Sequence, residues 1–324
     1  MIFKIQKKTI YIVLALLIIG CTTDTNKDNV SSSIEKVEDK NIEINGVNHY
    51  FKIIGTGEPI LVLHGGPGLF SDYLISSFEG LAEEYQFIFY DQRGSGKTDF
   101  PKDTSNIAIP NFVEDIEAIR KHFKIDKITL AGHSWGGLLA LFYAKKYPDN
   151  LNKLILIAPG PSNSEYYEKT LTNMQQKRKE EDTKELVRLM MSKDFEKREP
   201  KTFKNAIILG DKVNFFNQEN AKKMYDLVEF NEENSSKMLH TNSLLERNFF
   251  NYDITEGLEV VTCPTIIIIG DMDNVPFASN QTLQENLKNA RIEVIKQTAH
   301  YPFFEDNKSF THIVNDFLNP EYQD

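Results

Sequence analysis

Short apolar runs separated by longer amphipathic stretches set the character of this 324-residue chain. Ile60–Leu63, Phe87–Tyr90, Ile128–Ala131, Leu154–Ile157, Thr265–Ile269 and Ile292–Ile295 are short runs of mostly apolar residues, many of them β-branched. Strands of a parallel sheet covered by helices on both faces have that pattern. Ile109–Phe123 and Asn280–Leu287 carry helical periodicity and suit the crossovers between such strands. Near the start, Ile42–Ile44 and Tyr50–Ile53 flank Asn45-Gly46, a pair that favours a tight hairpin.

From Ser162 to Phe250 the pattern changes. Strand-like runs stop, charges become frequent, and apolar residues recur at helical spacing, as in Leu186, Leu189 and Met190. Ser162-x-x-Glu165 reads as a capping box opening the first of these helices. The expected organisation is an α/β core in two parts, residues 34–161 and 251–324, interrupted by a helical cap at residues 162–250. A cap placed there would cover the carboxyl-terminal edge of the sheet.

The beginning of the chain reads differently. Lys4, Lys7 and Lys8 precede the apolar run Ile10–Ile19, which is too short to span a bilayer comfortably and suits a signal peptide over residues 1–20. Ile18-Ile19-Gly20-Cys21 resembles the lipobox of bacterial lipoproteins. That resemblance implies lipid on Cys21, a flexible tether over residues 21–33, and an exported protein anchored to a bacterial membrane. Cys263 is then left alone, so no intramolecular disulfide is expected, and its place beside an apolar strand reads as a small buried hydrophobe. A net charge of −10 with no basic segment argues against a nucleic-acid partner.

Candidate chemistry centres on Gly132-His133-Ser134-Trp135-Gly136, which follows the strand Ile128–Ala131 and precedes a helix over Leu138–Lys146. A serine at such a strand-to-helix elbow is held in strained backbone with its hydroxyl exposed above the sheet, which makes Ser134 the candidate nucleophile. A serine hydroxyl needs a base, and the base needs an orienting carboxylate. On α/β sheets of this type the partners follow on loops after later strands. His300 follows Ile292–Ile295 and is the candidate base; Asp271 and Asp273 follow Thr265–Ile269. Asp273, farther into its loop, is preferred over Asp271. For the oxyanion, the expected donors are the backbone N–H groups of Trp135 and of Gly66, with Gly66 preferred over Gly65 in His64-Gly65-Gly66-Pro67-Gly68. Asp91-Gln92-Arg93-Gly94-Ser95-Gly96-Lys97 lacks the spacing of a phosphate loop, and Asp91 and Arg93 read as buttresses beneath the site. No metal and no cofactor are expected, because no cluster of His, Cys, Asp and Glu has ligand spacing.

Taken in order, His64–Gly68, Asp91–Gly96, Gly132–Gly137, Gly270-x-x-Asp273 and His300 resemble the α/β-hydrolase superfamily and, within it, the proline iminopeptidase (prolyl aminopeptidase) family. The resemblance covers about residues 40–320. It implies an α/β-hydrolase fold with a mostly parallel central sheet flanked by helices and an inserted helical cap. It also implies release of an N-terminal residue, preferably proline, from small peptides or amides through an acyl-enzyme. Family members bind the substrate amino group with carboxylates carried largely by the cap. Glu229, Glu232, Glu233 and Glu246 are available here, with Glu229 and Glu246 the expected pair. A carboxylesterase or lactone hydrolase on the same triad is the alternative. A catalytically silent binding protein is a third reading, which the complete set of catalytic residues argues against.

Overall fold

The computed structural model describes residues 37–249 and 251–319. The expected signal peptide, Cys21 and the tether lie outside the described residues.

The hairpin forms as expected but is longer. β1 (Val37–Ile44) and β2 (Val47–Ile54) pair antiparallel with Ile44 opposite Val47. Asn45 and Gly46 both have positive φ, +50° and +75°, which matches the twist of the flanking strands. The remaining strands are β3 (Glu58–Leu63), β4 (Tyr85–Tyr90), β5 (Ile128–His133), β6 (Leu151–Ile157), β7 (Thr265–Gly270) and β8 (Ala290–Ile295). The order across the sheet is β1-β2-β4-β3-β5-β6-β7-β8, with β2 antiparallel to β4 and every later pair parallel. All six expected apolar runs lie within strands. β5 and β7 are buried along their whole length, as strands covered on both faces must be.

Strand residues alternate between two apolar layers. Ile60, Val62, Phe87 and Phe89 pack on one side with α1 (Asp72–Phe78); Leu61, Leu63, Ile88 and Tyr90 pack on the other with α2 (Ile109–His122) and α3 (Trp135–Lys146). Cys263 is buried in the second layer, and burial pushes its thiol up, as suits a small hydrophobe.

Between β6 and β7 the chain forms α4 (Ser164–Lys177), α5 (Glu180–Met190), α6 (Lys193–Glu196), α7 (Pro200–Asp211), α8 (Asn220–Tyr225) and α9 (Glu232–Leu245). The capping box expected at Ser162 is a misreading. Asn163 caps α4 through Tyr166 N–H, whereas Ser162 is buried and its N–H donates to Ser279 Oγ. The reciprocal capping box belongs instead to Asn231 and Asn234 at the start of α9. The expected helix over Asn280–Leu287 is α10 (Phe277–Asn286), which starts earlier because Pro276 supplies a fixed φ just ahead of it. The chain closes with α11 (Pro302–Glu305) and α12 (Asn307–Leu318), the latter packing Phe310 and Val314 on the α1 side.

The sheet order sets the position of the site. From β3 the chain moves outward to β4, then returns to place β5 on the other side of β3. The loops after β3 and β5 therefore leave the sheet side by side in opposite directions, with Leu63 beside Gly132. In open α/β sheets this reversal point opens a crevice at the carboxyl ends of the strands.

Candidate active site

The loop after β5 turns at Ser134, whose φ of +54° and ψ of −118° lie where L-residues are strained. The conformation is held from three sides: Ser134 N–H donates to Ile157 O at 3.0 Å, and the Ser134 carbonyl accepts from Gly137 N–H at 2.9 Å and Gly160 N–H at 3.0 Å. The flanking glycines are steric requirements. A Cβ on Gly132 would stand 2.3 Å from Gly136 O, and one on Gly136 would stand 2.2 Å from Leu63 O.

Three side chains from three loops meet here. Ser134 Oγ lies 2.9 Å from His300 Nε2, and His300 Nδ1 lies 3.1 Å from each carboxylate oxygen of Asp273. A neutral imidazole satisfies this set by donating from Nδ1 to Asp273 and accepting the serine hydroxyl at Nε2. Asp273 is almost wholly buried. Asp271 is exposed and faces Lys296 at 3.9 Å. Burial opposes charge on His300, but the Asp273 carboxylate, by charge and hydrogen bond, and then Asp211 outweigh it and raise its proton affinity above the ordinary value.

The oxyanion loop discriminates between its glycines. Gly65 N–H donates to Tyr73 Oη at 2.8 Å and is occupied, which leaves Gly66, with φ of +121°, as the donor facing the pocket. Trp135 N–H opens α3, where helix N–H groups have no intrahelical partner. Both residues line the cavity with Ser134 and His300.

Buried side chains brace these loops. Gln92 donates from Nε2 to His64 O at 2.9 Å and accepts the Trp135 indole N–H at 2.8 Å, so one amide ties the oxyanion loop to the elbow. Asp91 accepts from Ser71 N–H and Oγ–H and from Lys97 N–H. Arg93 forms a two-pronged pair with Asp115 of α2, both contacts at 2.6 Å. The same loop also seats α9, since Thr241 Oγ donates to Gly94 O at 2.8 Å.

A cavity of about 130 Å³ opens over Ser134. Its walls are mainly apolar and aromatic: Leu138, Tyr167, Met174, Phe249, Tyr252 and Val275. Glu246, at the end of α9, lines the same cavity, and burial pushes its carboxyl up. The pair expected from the sequence is not brought together. Glu229 is exposed between α8 and α9 and lines a separate polar cavity with Asp72, Lys97 and Lys237. Glu232 and Glu233 are exposed in the first turn of α9, and Glu233 pairs with Lys237 at 2.6 Å. Position within the insert did not separate these glutamates, although Glu229 lies just before α9 and Glu246 just after it, at opposite ends of the helix. Gln92, Tyr73, Asn214 and Asp211 also escaped the sequence reading, since each acts through a partner distant along the chain.

A family model described as alpha/beta hydrolase fold matches residues 58–307. A proline iminopeptidase from Saccharolobus solfataricus is 32% identical over 300 residues, spanning 88% of this chain and 94% of the relative. Among solved structures, an alpha/beta fold family hydrolase from Bacillus anthracis superposes with a TM-score of 0.66 at 22% identity, covering 87% of this chain and 99% of its own. An esterase from Exiguobacterium antarcticum gives a TM-score of 0.64 at 23% identity, covering 86% and 99%. These two likenesses bear on the fold alone. The sequence match runs through nearly the whole length of the archaeal relative, so the chain belongs to the α/β-hydrolase fold family and, within it, to the proline iminopeptidases.

Proposed function

We propose that this protein is a serine aminopeptidase that releases an N-terminal residue, preferably proline, from small peptides or amides. The observation that carries the reading is Glu246: a carboxylate outside the Ser134–His300–Asp273 set that lines the same, mainly apolar and aromatic cavity. A half-buried carboxylate beside apolar walls suits a substrate group that carries a cationic amine on a small hydrophobic residue.

Ser134 Oγ attacks the scissile carbonyl carbon while its proton passes to His300 Nε2, 2.9 Å away. The carbonyl oxygen takes the negative charge and is met by the N–H groups of Gly66 and Trp135. His300 then protonates the leaving nitrogen, the C–N bond breaks, and the acyl group stays on Ser134. Water, deprotonated by the same imidazole, releases the acid. Asp273 holds the ring in the tautomer this sequence requires.

The test compares proline β-naphthylamide with p-nitrophenyl acetate. Ser134→Ala abolishes turnover of both. Glu246→Gln lowers kcat/KM on the amide by about 10²-fold, the cost of leaving a buried ammonium unpaired, and leaves the ester nearly untouched. The apolar walls also favour a second reading, a carboxylesterase or lactone hydrolase. Equal effects of Glu246→Gln on both substrates, with the ester the faster, would establish that reading instead.

We further propose export and lipid anchoring at Cys21, on the strength of the basic segment, the short apolar run and Ile18-Ile19-Gly20-Cys21. Among the described residues no helix is long and apolar enough to cross a membrane. Cys21→Ser should move the protein from the membrane fraction to the soluble fraction; persistence in the membrane would exclude the anchor.

A further inference from the structure

The insert reaches behind the catalytic loops as well as over them. Its α7 ends at Asp211, and the following turn, Lys212–Asn214, lies against both loops that supply the triad. Asn214 makes three links there. Its carbonyl accepts the His300 backbone N–H at 2.9 Å, its Oδ1 accepts Asn274 Nδ2 at 2.7 Å, and its Nδ2 donates to Asp211 Oδ1 at 2.7 Å. Asn274 directly follows Asp273, so one residue joins the two loops, its side chain holding the loop of the acid and its carbonyl the loop of the base. The neighbouring Phe215 stacks on Tyr301 at 4.4 Å between centroids, which fixes the residue after His300.

Asp211 itself is fully buried. Its second oxygen accepts Tyr225 Oη–H at 2.7 Å, and Tyr225 Oη lies 3.3 Å from Tyr301 Oη. Both carboxylate oxygens lie within hydrogen-bond reach of donors, Asn214 Nδ2 and Tyr225 Oη, while burial raises the proton affinity of the carboxyl. A buried charge is costly unless it serves a partner. Arg178 donates to the carbonyls of Leu209 and Gly210 rather than to Asp211, so among the described residues Asp211 has no direct ion-pair partner.

We propose that Asp211 and Asn214 are positioning residues for His300: Asn214 pins the loop of His300 to the loop of Asp273, and Asp211 holds a second buried negative charge behind the imidazole. The proposal rests on His300 acting as the base for Ser134. It makes the insert a component of the catalytic machinery as well as the wall of the pocket.

The groups facing His300 come from five elements. Asp273 contacts Nδ1, Ser134 contacts Nε2, and His133 from β5 is kept neutral by burial. Lys177 at the end of α4 opposes charge on the ring, and Asp211 on α7 favours it. Removing Asp211 therefore leaves Lys177 less opposed and makes the ring easier to deprotonate.

The experiment is the rate of Ser134 labelling by a fluorophosphonate across pH, on the full chain, for wild type, Asp211→Asn and Asn214→Ala, each with a thermal melt. Labelling forms the Oγ–P bond, expels fluoride and passes the hydroxyl proton to Nε2, so its acid midpoint reports His300. The Asp211→Asn midpoint is expected at lower pH than wild type. For Asn214→Ala the plateau rate is expected to fall about tenfold, from a loosened base. Asn214→Ala also serves if Asp211→Asn does not fold. A lowered melting temperature with an unmoved Asp211→Asn midpoint, or an Asn214→Ala plateau within about twofold of wild type, overturns the proposal. Absence of labelling in wild type at every pH overturns the reading of Ser134 itself, and the proposal with it.

Discussion

Tyr73 donates its phenol to Nδ1 of His133 at 2.7 Å, joining α1 to the residue just ahead of the nucleophile. The same oxygen accepts Gly65 N–H at 2.8 Å, and the far nitrogen of His133 donates to His300 O at 2.9 Å. The chain of bonds thus runs from the oxyanion loop through the elbow to the loop of the base. Burial holds His133 neutral, which lets one nitrogen donate while the other accepts. Tyr73→Phe leaves a buried imidazole nitrogen and a buried N–H without partners. The expected cost is about 1–3 kcal/mol of stability, read by urea denaturation, together with a fall in kcat. Unchanged stability would mean that water replaces the phenol and that the network does not hold the loops.

The acid limb of kcat/KM should lie above the ordinary histidine value of 6.5. His300 must be neutral to accept the serine proton. Because Asp273 and Asp211 raise its proton affinity, falling pH protonates it sooner and removes activity at higher pH than an isolated histidine would. A pH–rate profile of the free enzyme checks the sign, and a midpoint below 6.5 would contradict it. In Asp273→Asn the limb should move down while kcat falls by about 10⁴, since the amide no longer fixes the tautomer.

Gly136→Ala should be inactive and poorly folded. Its Cβ would meet Leu63 O at 2.2 Å and His64 O at 2.8 Å, both backbone atoms of β3 and the oxyanion loop. Neither can yield without pulling the oxyanion donors from the elbow. Soluble protein with wild-type kcat would show that the two loops can separate freely.

Arg93 and Asp115 form a buried ion pair, with Asn45 Nδ2 at 2.9 Å and His49 Nε2 at 3.4 Å from the same carboxylate. Arg93→Met strands that charge and should cost about 3–5 kcal/mol. Arg93→Met with Asp115→Leu should recover most of the loss, because the interior no longer holds an unpaired ion. Denaturant melts of the single and double variants distinguish the two; a double variant no more stable than the single would show that the carboxylate does more than face Arg93.

The sequence by itself determined the strands, the elbow and the identity of the three residues that meet there. Each of these depends on local chemistry. A run apolar on both faces has to be covered, and Gly132-x-Ser134-x-Gly136 tolerates no side chain at its ends. His300 and Asp273 were legible because they follow strands whose order the pattern already implied. The motif alone gave no reason to prefer Gly66 over Gly65; Tyr73 Oη, which occupies Gly65 N–H, supplies one.

Tertiary structure alone decided the rest. Glu229 and Glu246 look equivalent along the chain, yet one faces the polar cavity beside Lys97 and the other faces Ser134. Helical periodicity fixes which side of a helix is apolar but not where that helix lies over the sheet, so it cannot say which glutamate meets the pocket. Ser162 likewise fits a capping pattern that Asn163 fulfils, because the burial of Ser162 against α10 outweighs the local preference. Asp211 and Asn214 carry no motif. The contacts of Asn214 with His300 and Asn274 join residues some sixty to ninety positions apart, and only the assembled sheet with the insert folded against its catalytic loops brings such groups within hydrogen-bond reach.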